Sequence, residues 1–482
     1  MGRRAPGAAP FATLSLVVDR SARETLSRQI YVQLRDLILS GRIAAGARLP
    51  SSRALAGQLM LSRTVPLAAY DQLTAEGYLA ARQGAGIYVE RLGQAGPRPS
   101  PAASPPAAPA AAPRRPGSVH APFSLAAQDM ASFPHAVWAR LLARGWRRMA
   151  TSGDPDDPAG LWALRAAVAR YVHGLRGVAC GPDQVLITSG NAESMQLIAQ
   201  LPPRSRRQAW VEDPGYVEAQ RALAAAGMDL IPTPVDGQGL DVEAGRRSAP
   251  HAGLAVVTPA RQFPTGAPMS LPRRLALIAW ALEADALVVE DDYDSEMRFA
   301  GRPLASLISL EPDRVLALDS FSKLVFPGLR LGSIVGPPAL IARLVALRER
   351  QPSQTATVAQ PALAEFLDGG GMARHLRDLR RRLAPRRLAL IAALQAHCAG
   401  LLTVQPQEVG RHLLATLTPQ LAARASDVEL AERAGRVGLR LAALSPHYRR
   451  APPQHGLLFG YAGWDEAEIE RGVAQLAAAI QG

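Results

Sequence analysis

The sequence has almost no lysine, very little cysteine and no long uninterrupted apolar run. Lys323 is the only lysine among 482 residues, so 53 of the 54 positively charged side chains are arginine. The two cysteines, Cys180 and Cys398, provide neither a disulfide framework nor a metal-ligand spacing, which suits a reducing compartment. The longest apolar stretch is broken by Glu283 and Asp285, which argues against a membrane span.

Positive charge exceeds negative charge, with 54 Lys and Arg against 41 Asp and Glu. The net charge of +13 fits nucleic acid or another acidic partner, although an arginine-rich composition throughout would give the same total. The N-terminus has only a brief apolar run before Asp19 and Arg20, so we expect no secretory signal. We therefore predict a cytoplasmic, globular protein of two or three domains.

A proline-rich segment divides the chain. Within residues 94–118, 8 of 25 residues are proline and most of the others are Ala, Gly or Ser, which favours extended polyproline II. At about 3.1 Å per residue, such a linker would reach roughly 80 Å. We predict a first domain over residues 14–92, a Pro/Ala-rich linker over residues 93–118 and a larger domain over residues 119–482.

The first domain has the pattern of a small DNA-binding module. Residues 1–92 contain 12 Arg against 6 Asp and Glu, a formal charge of +6. An amphipathic helix ending at Gly41 is followed by two shorter helical patterns, and YLAARQGAGIYV indicates a two-stranded hairpin. Three helices and a hairpin predict a winged helix-turn-helix.

The third of these helices is the expected recognition helix. Ser62 is suited to its N-cap, and Pro66 falls in its first turn, where a missing N–H has no cost. A recognition helix presents its N-terminal residues to the bases, while the preceding helix and the wing reach phosphate or the minor groove. The expected DNA contacts are Arg53, Ser62, Arg63, Thr64 and Gln83.

The order of these signals resembles the DNA-binding domain of GntR-type regulators. Residues 24–90 follow that family's pattern G-x-x-x-x-G-x-x-L-P-S-x-R, then S-R, then A-Y-x-x-L-x-x-E-G and a Q-G-x-G wing. The resemblance implies that operator DNA is bound by a dimer, with contacts at the five residues named above.

The larger domain alternates short apolar runs with longer helical patterns, which predicts an α/β domain around a buried, mainly parallel sheet. In open α/β sheets the ligand binds beyond the carboxyl ends of the strands. The apolar runs end on residues that we expect to converge on one site, namely Ser189 and Gly190, Asp213, Thr258, Asp291 and Ser320.

Lys323 is the candidate nucleophile of that site. An amine can form an imine, whereas a guanidinium stays protonated and cannot, so a lone lysine among arginines indicates chemistry. A surface lysine left by chance is the alternative. Asp291 could pair with a pyridinium nitrogen, and Tyr293 could hydrogen-bond a phenolate oxygen.

A phosphate group would complete this pattern. Ser320, Ser322 and Arg330 supply donors and a fixed positive charge, and a helix that begins at Asn191 adds its N-terminus. These are the parts of a pyridoxal 5'-phosphate (PLP) pocket. The alternative for the acidic cluster around Asp291 is a metal site or an acidic turn.

The motifs EDDYDSE, SFSKLVFPGLRLG, EDPGY and QFPTG resemble the fold-type-I aminotransferase module of MocR-type regulators, a GntR subgroup. The resemblance extends from about Phe133 to the C-terminus, and S-x-x-K with an arginine seven residues later is its most specific part. It implies a homodimer with PLP as cofactor. The implied roles are a Schiff base at Lys323, the ring nitrogen at Asp291, the ring oxygen at Tyr293, phosphate at Ser320, Ser322 and Arg330, and phosphate and ring contacts at Asn191 and Tyr216.

Two departures from the family pattern affect the cofactor side. Ala192 and Glu193 replace two glutamines, one of which usually contacts phosphate. Pro155 and Asp156 replace a Tyr-Gly pair whose tyrosine tends to reach the phosphate of the other subunit.

The substrate side departs further. Ala260 and Arg261 stand where Ser-His is common, and Phe263 stands where aminotransferases carry an asparagine. The segment GLLFGYA has no arginine where aminotransferases hold the substrate carboxylate. The cofactor site therefore matches the family better than the substrate site.

This contrast favours a sensor over an enzyme with physiological turnover, because a sensor needs only differential affinity between two conformations. We predict a multidomain protein, with an N-terminal winged helix-turn-helix joined to an α/β fold-type-I aminotransferase-like domain. Its expected function is PLP-dependent transcriptional regulation in response to an amino acid or amine effector, or to PLP itself. The alternatives are an active aminotransferase with an appended DNA-binding domain, and a structural DNA-binding protein with an empty pocket.

Overall fold

The computed structural model describes residues 16–22, 24–82, 86–90, 121–152, 157–301, 305–351, 355–405, 407–450 and 453–481, and no side chains for residues 149–152. The chain divides into two units, Met1–Arg114 and Arg115–Gly482. The predicted linker lies outside the described residues, as do Gln83 and the Pro155–Asp156 pair.

The first unit contains the predicted helices and hairpin. Its elements are α1 (Leu26–Leu39), α2 (Ser52–Leu59), α3 (Thr64–Ala75), β1 (Leu79–Arg82) and β2 (Gly86–Val89). Helix α1 buries Leu34 and Ile38 in one cluster with Tyr70 and Leu73 of α3. Each such fully buried side chain contributes about 1.5–3 kcal/mol.

The turn between α2 and α3 differs from the prediction in one detail. Helix α3 begins at Thr64 with Arg63 as its N-cap, and the Ser62 hydroxyl lies 3.0 Å from the Thr64 hydroxyl. The predicted N-cap role of Ser62 is therefore wrong, because its side chain meets a hydroxyl and not a backbone N–H. Pro66 lies in the first turn, as predicted.

The helices of the second unit surround two sheets. They are α4 (His135–Ser152), α5 (Trp162–Arg176), α6 (Asn191–Ile198), α7 (Val217–Ala225), α8 (Val242–Ser248), α9 (Leu271–Glu283), α10 (Leu307–Leu310), α11 (Phe321–Leu324), α12 (Pro338–Glu349), α13 (Gln360–Asp368), α14 (Gly371–His397), α15 (Pro419–Ala422), α16 (Asp427–Arg436) and α17 (Glu466–Gln481). Among the helices in the described parts of the chain, none combines the length and apolarity needed to cross a membrane.

The larger sheet has the spatial order β3-β10-β9-β8-β7-β4-β5-β6, and its β5, β4, β7, β8 and β9 are parallel. Its strands are β3 (Val185–Thr188), β4 (Gln208–Asp213), β5 (Asp229–Asp236), β6 (Gly239–Leu240), β7 (Leu254–Val257), β8 (Leu287–Asp291), β9 (Val315–Ser320) and β10 (Gly332–Val335). The prediction of a mainly parallel sheet is confirmed.

Both faces of this sheet are covered. Val257 and Val288 belong to one buried cluster, whereas the adjacent Val256 and Val289 belong to a second cluster on the other face. Burial on both faces explains why these strands are apolar throughout. Apart from Gln208 at the start of β4, the polar residues of β3, β4, β8 and β9 come at the carboxyl ends.

A smaller antiparallel sheet lies in the C-terminal part of the second unit. Its strands are β11 (Leu402–Val404), β12 (His412–Leu417), β13 (Ala442–Ala443) and β14 (Gly456–Gly460), in the order β11-β12-β14-β13. The register places His412 opposite Gly460. Arg411, directly before β12, and His412, its first residue, line one cavity together with Gly190 and Ser320 at strand ends of the larger sheet.

Candidate functional site

A cavity of 450 Å³ lies at the carboxyl ends of the larger sheet. Gly190, which follows β3, and Ser320, which ends β9, line it. Asp291, which ends β8, accepts a hydrogen bond of 2.6 Å from the Asn191 amide, and Asn191 also lines the cavity. Three of the predicted strand ends therefore meet at one site.

The other two predicted strand ends have different contacts. The Asp213 carboxylate accepts hydrogen bonds from the backbone N–H groups of Arg449 and Arg450 at 2.7 and 2.9 Å. The Thr258 hydroxyl donates to Glu212 at 2.6 Å. Neither Asp213 nor Thr258 lines the cavity, although Thr258 accepts the N–H of the lining residue Phe263 at 3.0 Å. A polar strand end can thus also fix a loop or satisfy a buried carboxylate.

Lys323 lies on the short helix α11 directly after β9 and lines the cavity. Its Nζ is 4.5 Å from the centroid of the Tyr293 ring and 5.3 Å from that of Tyr216. Burial lowers the pKa of Lys323, and the Arg411 charge acts in the same direction, against Asp291. A lowered pKa makes the neutral, nucleophilic amine easier to reach at neutral pH.

Asp291 is fixed beside this amine. Its side chain is buried, and burial raises its pKa, while the Lys323 charge and the Asn191 hydrogen bond oppose that rise. The Asn191 side chain thus contacts Asp291, and its Oδ1 has no partner within the described residues. Asn191 is also the first residue of α6, where backbone N–H groups are free to bind an anion.

The three predicted phosphate residues lie around the same end of the cavity. Ser320, Ser322 and Arg330 all line it. The buried Ser322 Oγ has no hydrogen-bond partner within the described residues, an orphaned donor that a phosphate oxygen would satisfy. These residues, together with the N-terminus of α6, fit a phosphate group.

The Glu193 carboxylate is bound by other groups of the protein. It accepts the Ser189 N–H at 2.5 Å and pairs with the buried Arg348 at 2.9 Å. The carboxylate that replaces a family glutamine is therefore held by protein groups beside the start of α6. Its negative charge is compensated within the protein.

Tyr216 and Tyr293 flank the amine. Burial raises the pKa of Tyr216 to about 12 and that of Tyr293 further, so both phenols stay protonated at neutral pH. Phe263 meets the edge of both rings, at centroid distances of 5.5 and 5.8 Å. The cavity therefore has an aromatic lining that suits a planar ring.

Arg261, which departs from the family pattern, contacts the site residue Tyr293. Its Nη1 donates to the Tyr293 hydroxyl at 3.0 Å, and its Nη2 donates to the His412 carbonyl at 2.7 Å. Burial, followed by the Arg261 charge, holds the pKa of His412 well below its usual range, so this imidazole is neutral. Arg261 and His412 are far apart in the sequence, so no local sequence pattern indicates their contact.

Arg411 is a further residue at the site, and no sequence motif indicated it. Its backbone N–H and its Nε donate to the Asp294 carboxylate at 2.9 and 2.7 Å, and its Nη1 donates to the Lys323 carbonyl. Asp292 pairs with Arg176 at 3.1 Å. Arginines thus pair with Asp292 and Asp294, while Asp291 accepts from Asn191. No group of metal-ligating residues occurs in the described parts of the chain, so the metal alternative has no support here.

The predicted DNA contacts lie on the surface of the first unit. Arg53 is exposed on α2, and Ser62, Arg63 and Thr64 are exposed at the start of α3. This is the end of a recognition helix that reaches base edges in helix-turn-helix proteins. Gln83 lies outside the described residues.

Residues 26–89 match the family model of bacterial regulatory proteins, gntR family, and residues 149–474 match aminotransferase class I and II. The chain is 36% identical over 486 residues to the probable rhizopine catabolism regulatory protein MocR of Rhizobium meliloti, with 96% of each chain covered. It is 30% identical to the HTH-type pyridoxine biosynthesis transcriptional regulator PdxR of Corynebacterium glutamicum, with 98% of this chain and 99% of the other covered.

The second unit has a known fold. LysN, the alpha-aminoadipate aminotransferase of Thermus thermophilus, superimposes with a TM-score of 0.66 at 26% identity, covering 75% of this chain and 92% of the other. Members of this aminotransferase class use PLP, and a GntR domain implies DNA binding. Both predicted domain types are thereby confirmed, and the chain belongs to the MocR-type subfamily of GntR transcriptional regulators, in which a helix-turn-helix domain is fused to an aminotransferase-like domain.

Proposed function

We propose that this regulator binds PLP through Lys323 and responds to an amino acid or amine that competes for the same attachment. The observation that carries the proposal is the chain's only lysine, which lines a cavity beside a buried carboxylate, two tyrosines and an orphaned serine hydroxyl. When bound, PLP supplies an aldehyde that condenses with amines and an electron-withdrawing ring.

The cavity residues have distinct proposed roles. Lys323 attaches the cofactor, and Asp291 pairs with the ring nitrogen, where its charge makes a strong hydrogen bond. Tyr293, held by Arg261, donates to the ring oxygen, while Tyr216 covers the ring. The phosphate is bound by Ser320, Ser322, Arg330 and the start of α6, where Asn191 lies.

The DNA-binding role belongs to the first unit. Arg53, Ser62, Arg63, Thr64 and Gln83 are the proposed contacts with operator DNA. We further propose a cytoplasmic homodimer, which would present two recognition helices to two half-sites separated by about 10.5 bp or a multiple of it. The names of MocR and PdxR, both regulatory proteins, support this reading over that of a metabolic enzyme.

Because the chain has a single lysine, the site of PLP attachment can be identified directly. Full-length protein loaded with PLP is reduced with borohydride, digested and analysed by mass spectrometry; we expect the pyridoxyl group on the peptide that contains Lys323. The only other amine of the chain is its N-terminus. A pyridoxyl group found only there, or none at all, would contradict the proposal, and release of keto acid from amino donors would indicate the enzyme instead.

A further inference from the structure

Arg411 has a fixed orientation at the wall of the cavity. Two bonds to Asp294, from the backbone N–H and Nε, and one from Nη1 to the Lys323 carbonyl hold the guanidinium in place. Its Nη2 makes no hydrogen bond to any described residue, and its side chain is 13% exposed. Arg411 lines the cavity, so this free nitrogen is available to a molecule bound beside Lys323.

The wall around Arg411 has more positive than negative charge. Arg261 and Arg411 share a single carboxylate, Asp294, at 3.8 and 2.7 Å. Both Arg261 and Asp294 are 2% exposed, so water screens these charges weakly. The adjacent His412 is neutral and changes nothing in this balance. One positive charge therefore remains without an anionic partner.

The hydrogen bonds of Arg411 go to Asp294 and to the Lys323 carbonyl, and none goes to the proposed phosphate residues Ser320, Ser322 and Arg330. Those three residues and the start of α6 already offer the phosphate its donors and its positive charge. We therefore assign an anion at Arg411 to the effector and not to the cofactor.

The position of Arg411 also accounts for a gap noted in the sequence. Strand β14 carries no arginine. In the aminotransferases that this chain resembles, an arginine in that region binds the substrate carboxylate. The residue directly after β14, Tyr461, donates its N–H to the Arg411 carbonyl at 3.2 Å. Arg411 thus offers a guanidinium from the position directly before the neighbouring strand β12.

We propose that Arg411 binds the carboxylate of the effector, so that this regulator recognises amino acids and discriminates against simple amines. The inference rests on the proposed attachment of PLP at Lys323. It goes further in assigning the ligand class and the residue that selects it, neither of which follows from the cofactor site.

The test compares each ligand with its decarboxylated partner. Full-length protein loaded with PLP is titrated with the common L-amino acids, β-alanine and γ-aminobutyrate, and with the amine that lacks the carboxylate of each; the change in the cofactor's visible absorption measures binding. For the acid that binds tightest, we expect wild type to prefer it over its amine by about tenfold or more, as one charge-assisted hydrogen bond predicts.

Variants at Arg411 show whether this residue causes the preference. In Arg411→Gln the acid-to-amine ratio should fall to about one, while borohydride still fixes PLP to Lys323. Arg411→Lys, which keeps the charge, should retain part of the preference and serves if the glutamine variant does not fold. Arg221→Gln, which removes an exposed arginine paired with Glu218 at the cavity rim, should keep the wild-type ratio.

The outcomes separate the two proposals. Absence of PLP from Lys323 would refute the proposed function itself. With PLP attached, equal binding of acids and amines by wild type, no response to any acid, or an unchanged ratio in the Arg411 variants would overturn the assignment of Arg411.

Discussion

The site has two sides that differ in how they are encoded. The motif side consists of Asp291, Tyr293, Ser320, Ser322, Lys323 and Arg330, and all six come from two short segments that end neighbouring parallel strands. The arginine side consists of Arg261, Asp294, Arg411 and His412, whose contacts join residues 117 and 151 positions apart. In the proposed function, the first side would supply the attachment chemistry, and the second side would supply charge and orientation.

A regulator of this kind can vary the two sides to different degrees. Attachment of a cofactor needs an amine, a ring partner and a phosphate cradle in fixed positions, and strand ends provide these. Recognition of an effector needs only a charge or a shape beside them. The second side can therefore be rebuilt by substitutions far apart in sequence. It contacts the first side where Arg261 donates to Tyr293 and where Arg411 donates to the Lys323 carbonyl.

The largest expected effect concerns Lys323. Both Lys323→Ala and Lys323→Arg should abolish covalent attachment of PLP, because neither side chain can form an imine. Borohydride reduction followed by mass spectrometry measures this. A pyridoxyl group retained on either variant would mean that attachment does not depend on the motif side.

A second prediction concerns Glu212, which supports the segment that carries Arg261. Its carboxylate accepts hydrogen bonds from the Thr258 N–H at 3.0 Å and from Gln262 at 3.2 Å, and burial raises its pKa to about 7 from 4.5. The folded state therefore binds the proton more tightly than the unfolded state. The stabilisation is complete below pH 4.5 and is lost as the pH rises through about 7, by roughly 3 kcal/mol.

The pH dependence of Tm tests this. In cofactor-free protein, Glu212→Gln should flatten the fall of Tm between about pH 5 and 8, because glutamine does not titrate. Glu218→Gln, at an exposed position, is the matched control and should leave the slope unchanged. Parallel slopes in wild type and Glu212→Gln would show that this carboxylate does not titrate as inferred.

Asp291→Asn tests the ring partner on the motif side. The variant should fold and still attach PLP, but with affinity about 10- to 100-fold weaker, since a charge-assisted hydrogen bond is worth about 1.5–3 kcal/mol. Equilibrium dialysis of PLP against wild type and variant provides the measurement. Equal affinities would point to a different partner for the ring nitrogen.

The smallest predicted effect belongs to the arginine side. Arg261→Gln removes a positive charge beside Tyr293. The protonated form of the bound cofactor is then less destabilised, so its pKa should rise. The pH midpoint of the cofactor's absorption change should rise by roughly one unit, with PLP attachment intact. Titration of the visible spectrum measures this shift. Loss of PLP attachment in Arg261→Gln would show that the arginine side is also needed for attachment.

The sequence was sufficient for the fold and for most of the motif side. Repeated patterns of apolar runs predicted the sheet, and polar residues at the ends of β8 and β9 predicted Asp291 and Ser320, because strand ends are local features. Arg261 and Arg411 could not be placed in the same way, since their roles depend on contacts with Tyr293 and Asp294 made only in the folded chain. For Asp213 and Thr258 the sequence predicted a place at the site that their side chains do not take, because a polar residue at a strand end does not reveal its hydrogen-bond partner.

We propose that one chain couples a PLP-binding cavity to DNA recognition by a separate unit. The most direct test measures operator affinity with and without the amino acid that most changes the cofactor spectrum, using duplexes selected from a random pool, for wild type, Lys323→Ala and Arg63→Ala. Arg63→Ala should lose specific binding by about 1–3 kcal/mol per lost base contact and keep its PLP. Wild type should change affinity on addition of the amino acid, while Lys323→Ala should bind the operator without responding. A full response in Lys323→Ala, or wild-type affinity in Arg63→Ala, would contradict this coupling.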